Sequence, residues 1–86
     1  GEHLAFEALV RRHQAAVARA VARLVRDPQE AAEVVQDAWW MAWRRLDTWR
    51  GEGDAGAWLR GVASNAALMR LRARRRRPEG HATALD

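Results

Sequence analysis

The spacing of apolar residues constrains this chain more than any other feature of its sequence. Between residues 4 and 26 the apolar side chains fall mostly three, four or seven positions apart, as on one face of an α-helix. They are Phe6, Leu9, Val10, Val17, Val21 and Leu24. The 86 residues include only two prolines and six glycines, so long helices can form without interruption. The predicted fold class is all-α, a domain of three to four helices around one core.

A second helix is predicted to start where Asp27 precedes Pro28. Asp27 suits the N-cap, Pro28 suits the first helical position, and Glu30 is placed for a capping box. This helix is expected to run to about Leu46. Its expected buried face consists of Ala31, Val35, Ala38, Ala42 and Leu46.

Residues 47–54 contain two glycines and several polar residues, which predict a loop. Asp54 is expected to cap a last helix, from about residue 55 to residue 77, before Pro78 ends it. The expected buried face of that helix holds Trp58, Leu59, Val62, Ala66 and Met69. Residues 1–77 would then form the helical domain and residues 78–86 a flexible tail.

The charges of the chain are segregated. Arginine supplies all 15 basic side chains, which outnumber 11 acidic ones and give a net charge of +4. Residues 60–77 carry seven arginines and no carboxylate, whereas residues 27–54 carry seven carboxylates. This separation of acidic and basic segments suggests two partners of different chemistry. The basic stretch favours phosphate binding over a merely solvated face.

The residues needed for catalysis are missing from the sequence. There is no cysteine, the three histidines are scattered, and the glycines at 51 and 53 lack the strand and lysine of a phosphate-binding loop. We therefore expect no enzyme activity, no catalytic residue, no metal and no cofactor. No apolar run approaches the roughly 20 residues that span a bilayer, so a cytoplasmic protein without a membrane partner is expected.

Three features suggest binding sites. Trp49 beside Arg50 suits stacking of an unpaired base, although closing the core explains Trp49 equally well. Asn65 can contact a base edge from the last helix or be simply solvated. Of Trp39, Trp40 and Trp43, which cannot all face one core, at least one should be exposed. The remaining candidates are Arg60, Arg72 and Arg75 for phosphates, and Glu33, Gln36 and Asp37 beside Trp40 as an acidic face that is either solvated or docks a basic partner.

The order of several short segments resembles region 2 of the extracytoplasmic-function (ECF) sigma factors, the bacterial promoter-recognition subunits of RNA polymerase. The matching segments are Phe6-Glu7-Ala8-Leu9-Val10, Arg12-His13-Gln14, Asp27-Pro28, Val34-Val35-Gln36-Asp37-Ala38, Ala42-Trp43-Arg44-Arg45-Leu46, Trp49-Arg50-Gly51-Glu52-Gly53, Ala57-Trp58-Leu59 and Ala63-Ser64-Asn65. Each segment alone is weak, but the ordered combination covers nearly the whole chain up to Arg77.

The resemblance implies two partners. The second helix would bind the clamp coiled coil of the β′ subunit in the RNA polymerase core, through Glu33, Gln36, Asp37 and Trp40. The loop and the last helix would recognise the non-template strand of the −10 promoter element, with a flipped base held near Trp49, Arg50, Gly53 and Asn65. An anti-sigma factor is a further candidate partner.

Some positions depart from the pattern of this family. The family commonly has an aromatic and then a basic or polar residue where Ala55 and Gly56 stand. It often has Tyr-Arg at the positions of Arg60 and Gly61, and arginine or another larger residue where Ser64 stands. These departures leave open an alternative, a sigma-like regulatory or interaction domain that binds polymerase or another protein without sequence-specific DNA recognition. The resemblance also implies a second domain that binds the −35 element. These 86 residues do not contain it, so we expect the chain to be either an excised domain or a natural single-domain protein.

Overall fold

The computed structural model describes residues 2–46, 49 and 54–76, and over these residues the chain consists of three α-helices and no strand. Helix α1 spans Glu2–Leu24, α2 spans Pro28–Arg44 and α3 spans Ala55–Arg76. The predicted all-α class is confirmed. The predicted tail at residues 78–86 lies outside the described residues, as does most of the predicted loop.

Both predicted helix starts have their caps. The Asp27 carboxylate accepts a 2.8 Å hydrogen bond from the backbone N–H of Glu30, and Pro28 lies in the first turn of α2. The Asp54 carboxylate likewise accepts a 2.9 Å hydrogen bond from the N–H of Gly56. These contacts satisfy backbone donors that have no partner within the helix.

Helix α2 ends two residues earlier than predicted. Arg45 has left helical geometry, with φ −107° and ψ 13°. Its N–H donates to the carbonyls of Met41 and Ala42, at 3.0 and 3.2 Å. Such tightening of the last turn is common at helix ends and depends on tertiary context, which explains why the sequence placed the end at Leu46.

The three helices pack against one another around a core of small side chains. Val17 and Val21 contribute from α1, Val34 from α2 and Leu59 from α3, and each is at most 1% exposed. The rest of the core is Ala20, Val25, Ala38, Ala42, Val62, Ala63, Ala66 and Ala67. Alanine and valine at these positions let the helix axes approach closely.

One expected core position, Met69, was wrong, and another, Val35, is only partly buried against the core. On α2 the fully buried valine is Val34, and Val35 is only half-buried. On α3 Met69 is 49% exposed, and Ala63 and Ala67 are buried instead. Because α3 packs against both other helices, its buried face includes Ala63, Ala66 and Ala67 beside Leu59 and Val62, and Met69 lies outside it.

Aromatic side chains join the first turns of α1 to α2. The Phe6 ring meets Trp39 and Trp43 edge-on, with centroids 6.0 and 5.1 Å apart, and His3 lies 5.1 Å from Trp43. Edge-to-face contacts of this kind are favourable for aromatic rings. Trp40 is 59% exposed, so the expectation that at least one of the three tryptophans is exposed is confirmed.

No helix within the described ranges is both long and apolar enough to cross a membrane.

Candidate nucleic-acid and protein interfaces

One edge of α2 carries a row of acidic side chains that ends in a tryptophan. Glu30, Glu33, Asp37 and Trp40 are spaced three and four residues apart, so they share one side of the helix. Glu33, Asp37 and Trp40 are exposed. We call Glu33, Gln36, Asp37 and Trp40 the acidic face, because the sequence predicted them together as a docking surface.

The acidic face adjoins an aromatic groove. Gln36 and Trp40 line it together with Phe6, Trp39 and Trp43, and its volume is about 400 Å³. The Arg44 guanidinium carbon lies 6.0 Å from the Trp40 ring centroid, which is the outer limit of a cation–π contact. An exposed tryptophan beside carboxylates and a groove can bury both apolar and charged groups of a partner.

Arg70 of α3 reaches across to the carboxylates of α2. Its Nη1 lies 3.2 Å from Glu33 Oε1, and its Nη2 lies 3.2 Å from Asp37 Oδ2. The same Nη1 lies 3.5 Å from Glu30 Oε2. Partial burial alone would lower the pKa of Arg70, but the hydrogen bonds to Glu33 and Asp37 and their negative charge raise it above its ordinary value.

Two further arginines of α3 are also paired. Arg74 Nη1 lies 3.2 Å from Glu30 Oε1, so Glu30 faces α3 instead of completing a capping box. Arg60 Nη2 lies 3.9 Å from Asp54 Oδ2. The arginine stretch that lacks carboxylates in the sequence is therefore partly compensated by carboxylates from outside it.

The outward side of α3 forms a second groove, of about 470 Å³. Asn65 and Ser64 are half-buried in its lining, and Arg45 enters from the end of α2. The other lining residues are Ala57, Trp58, Gly61, Val62 and Leu68. Among the described residues, and apart from its chain neighbours and the adjacent backbone of α3, no atom lies within 4 Å of the position a Cβ would take at Gly61, so the groove is open there. We call this the α3 groove.

Trp49 is connected to the α3 groove through Trp58. The two rings stack, with centroids 6.0 Å apart and planes 17° apart, and the Trp49 N–H donates to the Leu46 carbonyl at 3.2 Å. Trp49 is half-buried, so it helps to close the structure on that side. Arg50 and Gly53, the other predicted loop residues, lie outside the described residues.

Arg72 and Arg75 lie further along α3, beyond the α3 groove. Both are exposed, and neither forms an ion pair within the part of the chain that the structure describes. Counting helical turns places them on the same side of α3 as Leu68 and Gly61. They can therefore contact phosphates of a strand that lies in the groove.

Residues 9–77 match the family model of Sigma-70 region 2. The chain belongs to the sigma-70 region 2 family. This sigma-70 region 2 domain is 39% identical to RNA polymerase sigma-H factor of Pseudomonas aeruginosa, over 87 aligned positions that cover the whole chain and 45% of that relative. It is 41% identical to ECF RNA polymerase sigma-E factor of Escherichia coli K12, over 91% of the chain and 40% of the relative.

The sigma-70 region 2 domain thus spans less than half the length of these curated relatives. No solved structure matches it significantly.

The geometry explains one of the departures from the family pattern. Gly56 of this sigma-70 region 2 domain is buried where the start of α3 approaches α1. A Cβ at this position would lie 3.2 Å from His13 Cε1, Asp54 Oδ1 and Arg60 Nη1. That is closer than ordinary van der Waals contact, so glycine permits the tight approach and the Asp54 cap.

Sequence reasoning missed the ion pairs that Arg70 and Arg74 of α3 form with carboxylates of α2, among them Glu30. Arg70 is 37 positions away from Glu33 in the chain and 33 positions away from Asp37. No local pattern reports such pairs. The complementary charge of the two segments is a signal of such a contact, but in the sequence alone it fits two surfaces for two partners equally well.

Proposed function

We propose that this sigma-70 region 2 domain acts in bacterial transcription initiation, where it binds the RNA polymerase core and recognises −10 promoter DNA without a catalytic step. The observation that carries the proposal is the family match over residues 9–77, which includes both the acidic face and the α3 groove. The names of the relatives, RNA polymerase sigma factors, support the same role.

The acidic face is the proposed docking surface for the clamp coiled coil of the polymerase β′ subunit. Trp40 offers a large exposed apolar surface, and Glu33 and Asp37 offer charge to a basic partner. Aromatic side chains with neighbouring charges concentrate binding energy in interfaces. Gln36 adds a hydrogen-bonding amide beside the aromatic groove.

The α3 groove is the proposed site for the non-template strand of the −10 element. Asn65 in the groove can hydrogen-bond a base edge, and Trp58 with Trp49 forms an aromatic wall beside it. Arg72 and Arg75 would hold phosphates, with Arg60 at the start of the helix. Flipping a base costs a few kcal/mol, which stacking and arginine contacts must offset. Arg50 and Gly53 belong to the proposed site on the family resemblance alone.

The alternative is a sigma-like regulatory or interaction domain that lacks sequence-specific DNA recognition. One observation favours it: Arg60, Arg70 and Arg74 are already paired with carboxylates, which reduces the positive charge available to DNA. An anti-sigma factor is a further proposed partner, with no residues assigned to it.

Fluorescence anisotropy with short single-stranded oligonucleotides, in which each base of a −10-like sequence is changed in turn, tests the proposal. We expect the wild type to discriminate among these oligonucleotides and Asn65→Ala to lose discrimination at one base position. Gln14→Ala is the control, because Gln14 is an exposed amide on α1 that does not line the α3 groove. Binding that depends on charge but not on sequence in the wild type would select the alternative.

A further inference from the structure

The acidic face is already engaged by an arginine of its own chain. We propose that Arg70 is an intramolecular competitor for polymerase docking, which occupies Glu33 and Asp37 and thereby lowers their affinity for a basic partner. This inference rests on the proposed function of the acidic face.

The geometry of the guanidinium carries the argument. Its two terminal nitrogens bridge carboxylates one helical turn apart, each at 3.2 Å, so a single side chain neutralises part of both charges. Both carboxylate side chains are 59% exposed, whereas that of Arg70 is 28% exposed. Arg70 therefore lies against the inner side of the pair, and a partner approaches from the outer side. A basic side chain of that partner therefore meets carboxylates whose negative charge Arg70 already partly neutralises.

Glu30 allows the contact to be exchanged without leaving a charge unpaired. Its side chain is 19% exposed and lies 3.5 Å from Arg70 and 3.2 Å from Arg74. When a partner takes Glu33 and Asp37, Arg70 keeps Glu30 as a neighbour. An unpaired, partly buried charge would oppose the exchange strongly, so this third carboxylate makes the competition reversible.

The groove beside Arg70 indicates the chemistry of the competing side chain. Trp40, Met69 and Ala73 line this groove between α2 and α3 together with Asp37 and Arg70, and its volume is about 300 Å³. The aliphatic stem of an arginine or lysine can lie along Trp40 and Met69 while its charged end reaches Asp37. The competitor of Arg70 is thus a basic side chain on a surface that also presents apolar groups.

The test measures the affinity of the chain for a purified β′ clamp coiled-coil fragment, by isothermal titration at low and moderate salt. We expect Arg70→Gln to bind about two- to fivefold more tightly than the wild type at low salt, the range that one exposed ion pair supplies, with a steeper loss of affinity as salt rises. Arg70→Lys should lie between them, because an ammonium group cannot bridge two carboxylates as a guanidinium does.

Arg19→Gln is the control for net charge, because Arg19 is exposed on α1 and belongs to neither surface. It should bind like the wild type. Helical content and thermal unfolding of each variant are measured first. If Arg70→Gln does not fold, the affinity of Arg70→Lys for the β′ fragment tests the competition.

The competition by Arg70 and the docking of the acidic face are contradicted by different results. If the wild type binds and the folded Arg70 variants bind equally or more weakly, the competition is overturned and the docking proposal stands. If neither the wild type nor any variant binds the fragment, the proposed function of the acidic face is contradicted, and the competition with it.

Discussion

Trp49 stacks on Trp58 at a centroid distance of 6.0 Å, and this stack joins the chain that follows α2 to the first turn of α3. Trp58 also lines the α3 groove. The stack therefore has two consequences: it covers part of the hydrophobic surface of α3, and it fixes an aromatic wall at the proposed DNA site.

Trp49→Ala and Trp49→Phe distinguish a role of Trp49 in stability from a role in DNA binding. If Trp49 supports base stacking, the alanine variant should lose about 1–3 kcal/mol of single-stranded DNA binding, while the phenylalanine variant keeps most of it. Both variants should unfold at a lower temperature than the wild type. Anisotropy and thermal unfolding measure the two effects, and unchanged DNA affinity in the alanine variant would leave Trp49 with a purely structural role.

Arg72→Gln should change DNA binding in a way that Asn65→Ala does not. A phosphate contact carries no sequence information, so we expect uniformly weaker binding and a slope of log affinity against log salt that is smaller by about 1. Titrations at several salt concentrations measure the slope. The same slope as the wild type would mean that Arg72 contacts no phosphate, and Arg19→Gln on α1 again serves as the control.

Val34→Ala and Val35→Ala form a matched pair that tests the position of the core. Val34 is fully buried against the other helices, whereas its neighbour is half-buried. We expect Val34→Ala to lower the free energy of unfolding by about 2 kcal/mol, and Val35→Ala to lower it by less. Urea unfolding measures both. A larger loss of unfolding free energy in Val35→Ala than in Val34→Ala would contradict this. It would support the orientation of α2 that the sequence pattern predicted, with Val35 in the core.

Gly61 is predicted to lower the free energy of unfolding while it keeps the α3 groove open. Because a Cβ there meets no described atom within 4 Å outside its chain neighbours and the adjacent backbone of α3, Gly61→Ala should raise the free energy of unfolding by up to about 1 kcal/mol through helix propensity alone. Gly61→Leu should occupy the α3 groove and weaken single-stranded DNA binding while the protein remains folded. If Gly61→Leu binds single-stranded DNA with the affinity of the wild type, the strand does not enter the groove at Gly61.

The helices could be predicted from the sequence because their signals are local. Asp27, Pro28 and Asp54 determine where α2 and α3 begin through contacts with residues only two or three positions away. Helical geometry alone predicted that at least one of the tryptophans at positions 39, 40 and 43 is exposed, since they cannot share one direction, and the structure shows that it is Trp40.

The details of packing could not be predicted in the same way. Whether Val34 or Val35 is buried depends on how α2 is rotated toward α1 and α3, and the preference of α3 for Ala63 over Met69 depends on close helix approach. The pairing of Arg70 with Asp37 arises only after α2 and α3 pack together. Such contacts are properties of the tertiary fold and leave no periodic trace in the sequence.

The measurement that tests the central claim most directly is docking to the β′ clamp coiled-coil fragment, followed by tryptophan fluorescence, since Trp40 lies in the acidic face. The wild type should bind at micromolar concentrations and Asp37→Asn should bind more weakly. Glu7→Gln is the matched control, because Glu7 is a similarly exposed carboxylate, paired with Arg11 on α1. Loss of affinity in Asp37→Asn with unchanged affinity in Glu7→Gln would support docking through the acidic face. No binding by the wild type, or equal affinities for all three proteins, would contradict it.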